Sequence, residues 1–498
     1  MEKKYIIALD EGTTSLRSIL YNIKTNEIVS IVQFPFRQYY PKTGWVEQDA
    51  SEIWNLQEQS LHNLITQAKI DPNEVVGLGI TNQRETVVAW DRRTGEPITR
   101  AIVWQCRRTS PMITKLPKNI VRKIKSKTGL IANSYFSASK MRWIMENVPM
   151  AKKLAREKNL CLGTIDSYLA YRLTGKFVTD TTNASRTMLY NISELKWDKE
   201  LLAYFKIPEH CLAQVVDSNA EVGQCLDYPF SLCGMIGDQQ SSLFGQACNK
   251  KGMIKATYGT GCFILMNTGT QRMRNKGMLC TIASTIDGVT NYALEGSVFS
   301  ACNAIDWLGN NLNLYEEVKD TSSICRSLDS NDDVYFVPAF TGLGAPYWNC
   351  FTRGTITGLT LSSTKAHIIR ACIESLAYNT YAIVKAMSTK SMSKKSINIQ
   401  ELHVDGGGSK NEFLLQFQAD MLQHSVLKSM ESESTALGAI FMVALCKKVY
   451  TLKDISNIYK VKQTYTPSIT KHTRDQLFNK WENAVKTAIY DSNRRRIK

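Results

Sequence analysis

No C-x-x-C pair occurs anywhere in these 498 residues, although thirteen cysteines are scattered from Cys106 to Cys446. An odd, scattered set argues against a disulfide framework, and the missing pair argues against a cysteine-bound zinc. Both absences point to a reducing compartment, so a cytoplasmic protein is expected. Long apolar runs are missing too. The longest nearly unbroken one, 436–446, falls well short of the ~20 residues a membrane span needs. No secretory leader is expected, because Lys3-Lys4 opens an apolar run that stops at Asp10. There is no G-x-x-x-x-G-K-[ST] loop, which excludes a P-loop phosphate site. Acidic residues are the scarcer sign, 45 against 61 basic ones, for a formal net charge of +16. Such a field favours anionic partners. Yet the basic run 115–127 and the terminal Arg494-Arg495-Arg496 interleave no aromatics that would stack bases. A solvated basic surface with no nucleic-acid partner is therefore expected.

What is present is an ordinary folded composition, with 43% hydrophobic and 21% charged residues. At roughly 100–200 residues per domain the length implies several domains. Residues 5–33 read as a β-meander with turns at 11–14 and 24–27. Asp49-Ala50-Ser51-Glu52 has the look of a capping box, launching a helix that buries Trp54, Leu61, Leu64, Ile65 and Ala68. A short apolar strand, 75–81, follows. A similar unit returns past the middle: 253–258 and 262–267 flank the turn Gly259-Thr260-Gly261, and the strand 401–405 enters Gly406-Gly407-Gly408 before a helix at 411–422. Residues 388–396 read as a surface loop. The predicted architecture is α/β and duplicated: two halves, 1–248 and 249–498, with a cleft between them.

Four polar clusters could carry chemistry. In Asp10-Glu11-Gly12-Thr13-Thr14-Ser15, with Arg17 beyond, a strand delivers a carboxylate to a tight turn whose hydroxyls and amides could line phosphate oxygens. Asp10 could hold Mg²⁺, a hard cation that takes oxygen ligands; a polar turn without ligand is the alternative. The second cluster is the pair of glycine turns at 259–261 and 406–408. They could admit a bulky ligand against the backbone or merely allow a close crossing. Gly237-Asp238-Gln239-Gln240 presents an acid after an apolar strand, either as a general base or as a helix cap. Thr81-Asn82-Gln83-Arg84-Glu85-Thr86 offers donors and an acceptor to a polyol, unless it is a solvated loop.

Taken together, these segments resemble the FGGY carbohydrate kinases, of the sugar kinase, heat-shock chaperone and actin superfamily, and within them the members that phosphorylate glycerol. The resemblance runs through 5–14, 44–47, 79–86, 101–108, 182–189, 237–240, 257–262, 292–296, 337–348 and 404–407, and 136–147 and 354–374 resemble the two family signatures. It implies two actin-like (ribonuclease H-like) domains and transfer of phosphate from ATP, with Mg²⁺, to glycerol. It also implies a homodimer or larger homo-oligomer. Asp10 matches the metal-organising aspartate, and Thr13, Thr14, Ser15 and Arg17 the first phosphate loop. Arg84, Glu85, Tyr135, Asp238 and Gln239 match residues that hold glycerol's hydroxyls, with Asp238 as base, and Trp104 and Phe263 match the walls about its carbons. Thr260 matches the second phosphate turn, and Gly407 and Asn411 the nucleotide site. Glu11 departs from the family's glutamine, and Cys302 and Asp306 stand where bacterial relatives carry Gly and Gln.

Overall fold

The computed structural model describes residues 2–389 and 397–495. The loop expected at 388–396 lies mostly outside them; Ser388 itself closes a helix. In the first half the expected meander forms β1 (Tyr5–Glu11), β2 (Ser15–Asn22) and β3 (Glu27–Pro35), all antiparallel. Helix α1 (Ala50–Ala68) starts where Asp49 accepts hydrogen bonds from the amides of Ser51 and Glu52. Strand β4 (Val75–Asn82) pairs parallel to β1, and β5 (Ser231–Gly237) pairs parallel to β4 and leads into α2 (Asp238–Gly245). β4 is buried along its whole length, the signature of a strand covered on both faces.

The second half repeats this plan. β6 (Ile254–Tyr258) and β7 (Cys262–Gly269) form an antiparallel hairpin, and β8 (Val289–Val298) extends it antiparallel to β7. A long helix, α3 (Lys365–Ser388), then leads back to the sheet, where β9 (Leu402–Asp405) pairs parallel to β6. Helix α4 (Glu412–Leu422) and strand β10 (Val426–Ser429), parallel to β9, complete the unit. The orders β5-β4-β1-β2-β3 and β10-β9-β6-β7-β8 thus match strand for strand.

One helix crosses between the halves. The apolar run noted above is α5 (Ser434–Cys446), and no helix among the described residues is long and apolar enough to span a membrane. Although it lies in the second half of the chain, α5 packs on the first sheet, where Ile6, Ala8, Ile19, Tyr21, Val76 and Ile236 meet Ala436, Ala439, Ile440 and Val443. The alternate residues Ile7 and Leu9 face Trp54 and Leu61 of α1 on the opposite side. Burial all round explains the helix's lack of a polar face. Its approach depends on missing side chains: a Cβ on Gly79 would lie 2.8 Å from the Ala439 carbonyl oxygen, and one on Gly438 would lie 2.1 Å from that of Ser241 on α2. The basic run 115–127 is largely a helix, Lys118–Thr128, whose Lys123 and Lys127 pair with Glu200, Lys127 also reaching Asp198.

Candidate active site

The hairpin between β1 and β2 closes on a bond from Gly12 N to Ser15 O (3.0 Å) and leaves Thr13, Thr14 and Ser15 at least partly exposed. Gln38 and Gln48 donate to the Thr13 carbonyl (2.9 and 2.8 Å), and Trp104 Nε1 donates to its hydroxyl (3.0 Å). Arg17 stands opposite Asp10 in the ladder, 4.0 Å from its carboxylate, and pairs with Glu433 at the head of α5 (2.5 Å). Burial pushes the Asp10 carboxyl up to about 7, with Arg17 offsetting only part of the cost. Glu11 is fully buried. Its Oε1 accepts from Gln83 (3.1 Å), its Oε2 has no protein partner, and burial drives this carboxyl well above the usual range.

All six residues of the 81–86 segment are buried, so the solvated-loop alternative falls. Gln83 ties the segment to the hairpin, donating to Glu11, to the Gly12 carbonyl and to Gln48. Glu85 adopts φ +64°, a left-handed conformation that a non-glycine residue keeps only when its surroundings impose it. Those surroundings are ionic. Arg84 grips both oxygens of Glu295 (2.7 and 3.1 Å), while Arg186 bonds Glu295 (3.0 Å) and Glu85 (2.6 Å). Burial opposes the Glu295 charge, but Arg186 and Arg84 outweigh it and hold the carboxyl at about 2. At Glu85 burial prevails over the neighbouring Arg186 and Arg84 and raises the carboxyl. Glu295 lies on β8, so this buried cluster joins the two halves directly behind Arg84.

Asp238 opens α2 at the end of β5. It is not the helix cap: Gly237 takes that position. Its Oδ1 forms an ion pair with Arg84 Nε (3.2 Å) and accepts from Gln239 N (2.7 Å), while Oδ2 faces the Gln239 amide at 3.3 Å. Trp104 and Tyr135 meet edge to face, 5.5 Å between centroids. Lys140, fully buried, donates to the carbonyls of Ser134, Tyr135 and Phe136 and so fixes the loop carrying Tyr135. Phe263 lies on β7, partly buried, between Thr257 and Ser297 in the ladders of the second sheet.

At the glycine turns of the second half, Thr260 is exposed, and its carbonyl accepts from Ala301 N (3.0 Å). Gly406 has φ +82°, and a Cβ there would meet the Tyr258 carbonyl oxygen at 2.5 Å. A Cβ on Gly407 would meet nothing within 4 Å, so the backbone is open there. Asn411 spends its side chain locally, capping α4 at Leu414 N (3.0 Å) and donating to Thr321 (3.1 Å). Cys302 packs on the glycine turn, its Sγ 2.7 Å from where a Gly408 Cβ would sit.

The chain as a whole is similar to known proteins. The description "FGGY family of carbohydrate kinases, N-terminal domain" fits residues 5–245, and its C-terminal counterpart fits 254–445. The chain belongs to the FGGY family of carbohydrate kinases. It is 43% identical over 491 residues to the glycerol kinase of Thermococcus onnurineus, covering 98% of each chain. Identity to the glycerol kinase of Carboxydothermus hydrogenoformans is 46% over 498 residues, covering 98% of this chain and 99% of that one. The crystal structure of Plasmodium falciparum glycerol kinase with ADP superposes with a TM-score of 0.90 at 32% identity, covering 98% and 99% of the two chains. A xylulose kinase from Lactobacillus acidophilus shares the fold at 23% identity and a TM-score of 0.87, covering 99% of each chain. The two-domain α/β fold expected from the sequence is thus that of this kinase family. Within it, Arg84, Glu85, Asp238 and Gln239 come together as one polar cluster. Arg186 and Glu295, which touch that cluster, lie in the segments 182–189 and 292–296 that carry the resemblance but were given no role, and Lys255 lies outside every such segment.

Proposed function

We propose that the protein phosphorylates glycerol to sn-glycerol 3-phosphate at the expense of ATP, by in-line transfer of the γ-phosphoryl group. The carboxylate of Asp238 carries this reading. The Gln239 backbone N–H and the Arg84 charge hold Oδ1, while Oδ2 has one long contact and can take a proton from an acceptor hydroxyl. Full-length similarity to glycerol kinases supports a small polyol as that acceptor. Arg84, Glu85, Tyr135 and Gln239 bind its hydroxyls, and Trp104 and Phe263 flank its carbons. The terminal hydroxyl passes its proton to Asp238 as its oxygen bonds to the γ-phosphorus. The bond from that phosphorus to the bridging oxygen breaks, and ADP leaves.

Thr13, Thr14, Ser15, Arg17 and Thr260 offset charge on the phosphoryl oxygens, and Gly407 and Asn411 line the nucleotide. Among the described residues no three acidic, histidine or cysteine side chains gather into a metal cage. A lone, hard-to-ionise Asp10 beside an orphaned Glu11 oxygen nonetheless fits Mg²⁺, which usually takes one or two carboxylates and completes its shell with phosphate and water. When bound, the ion supplies positive charge to the phosphate oxygens. On this reading residues 1–248 carry most of the acceptor site and the first phosphate loop, and 249–498 bind the nucleotide. Thirteen free cysteines, ten of them buried, suit the cytoplasm, and the enzyme works there as a homo-oligomer, which light scattering tests. The activity itself is tested by ADP release with glycerol, 1,2-propanediol and xylulose. Glycerol should exceed propanediol in kcat/KM by at least ~10²-fold, because the site's polar groups would otherwise go unpaired. Equal or better turnover of xylulose would overturn the assignment.

A further inference from the structure

Lys255 is fully buried and has no part in the scheme above. It lies on β6, whose alternate residues Ile254, Ala256 and Tyr258 enter the core of the second half. Lys255 and Thr257 therefore share the opposite face. A lysine confined there loses its hydration, and burial accordingly pulls its ammonium below the ordinary range, with Asp405 and Asp238 opposing that pull. An apolar residue would fill a purely structural position at less cost. What the lysine gains is two contacts: its Nζ donates to Gln239 Oε1 (2.5 Å) and to Thr257 Oγ1 (2.9 Å). Thr257 continues to Ser242 Oγ (3.3 Å), which donates to Asp405 (3.1 Å) just before the glycine turn.

The first contact has a chemical consequence. An amide side chain has an acceptor end and a donor end, and an ammonium group has donors alone. With Oε1 taken by Lys255, the Gln239 NH₂ must point the other way, and it faces Asp238 Oδ2. Were the amide reversed, its oxygen would confront a carboxylate oxygen, two acceptors with no proton between them. We propose that Lys255 is a positioning residue that fixes the Gln239 amide, and through it the Asp238 oxygen that receives the acceptor's proton. The idea rests on the glycerol-phosphorylating reading and deepens it. Lys255 contacts no substrate; it acts through Gln239.

The test is a double-mutant cycle on the full-length chain, with ADP release measured at saturating ATP across a glycerol titration. Lys255→Met should lower kcat by about 10- to 100-fold while the glycerol KM changes by less than about 3-fold, since the loss falls on proton transfer. In a Gln239→Ala background the same substitution should cost less than about 3-fold in kcat, because the side chain through which it acts is gone. A lysine that merely supports the fold would give losses that multiply, and that result overturns the proposal, as does a Lys255→Met enzyme with near-normal kcat. Should Lys255→Met lack a cooperative melt, Gln239→Glu carries the test. It keeps a partner for Lys255 but presents no side-chain N–H to Asp238 Oδ2, so kcat should fall at least about 10-fold; an unchanged kcat overturns the proposal. Wild-type protein that releases no ADP with glycerol removes the functional reading itself, and this inference with it.

Discussion

Replacing Glu295 by glutamine keeps the side chain's shape and removes the charge gripped by Arg84 and Arg186. The magnitude follows from the carboxyl itself, held at about 2 against an ordinary 4.5. At ~1.4 kcal/mol per pKa unit, that difference corresponds to about 3 kcal/mol of stability at neutral pH. The figure agrees with the 3–5 kcal/mol typically lost when one member of a buried ion pair is removed. With an m-value of ~3 kcal/mol/M, the urea midpoint should fall by about 1 M. The sign with pH is fixed. A carboxyl whose folded pKa is depressed contributes fully above its unfolded value and loses that contribution as pH falls through the folded one. The gap between wild type and Glu295→Gln should therefore be flat from pH 6 to 8 and narrow below about pH 4.5. Tryptophan fluorescence in urea series at several pH values measures it. A gap under about 1 kcal/mol at pH 7, or one that widens on acidification, would refute the reasoning.

Asp238→Asn keeps the geometry around Arg84 but removes the base, so kcat should fall by ~10²–10⁴ with glycerol affinity largely kept; steady-state kinetics with near-normal kcat would place the base elsewhere. Gly406→Ala puts a methyl group 2.5 Å from a backbone oxygen at φ +82°, and should cost at least ~1–3 kcal/mol of stability, read as a lower melting temperature. Gly407→Ala meets no atom within 4 Å and should melt within about a degree of wild type, yet raise the KM for ATP if nucleotide lies there. Equal melting of the two glycine variants would contradict this assignment of roles.

Much of the scaffold was legible because its signals are local. The meander of β1 to β3 and the hairpin of β6 and β7 follow from apolar or alternating runs broken by short turns, and their boundaries shifted by no more than two residues. Asp238, Arg84 and Glu85 stood out because polar residues follow directly on apolar strands. Residues whose meaning lies in distant contacts were hidden. Arg186 and Glu295 lie in segments that carry the resemblance, but they stand 109 positions apart, and nothing in the sequence shows the ion pair they make when the halves meet. Lys255 sits within a strand pattern that says nothing of Gln239. For Asn411 the local signal was sound but not specific, since the same side chain serves as a helix cap.

Helix α5 also bears on how the chain is made. During synthesis the first sheet and the helix α2 that follows its last strand are complete once residue 245 has emerged, but the helix that covers one face of the sheet begins at Ser434. At ~5–20 residues per second the roughly 190 intervening residues take about 10–40 s to translate. For that interval Ile6, Ala8, Ile19, Val76 and Ile236 form a bare apolar surface on the nascent chain, open to any chaperone or to a neighbouring copy. A gene split at the 248/249 junction would make that exposure permanent in one product and strand a largely apolar helix in the other. Recovery of activity from the separately expressed pieces would thus require co-expression, and each piece alone should accumulate as aggregate.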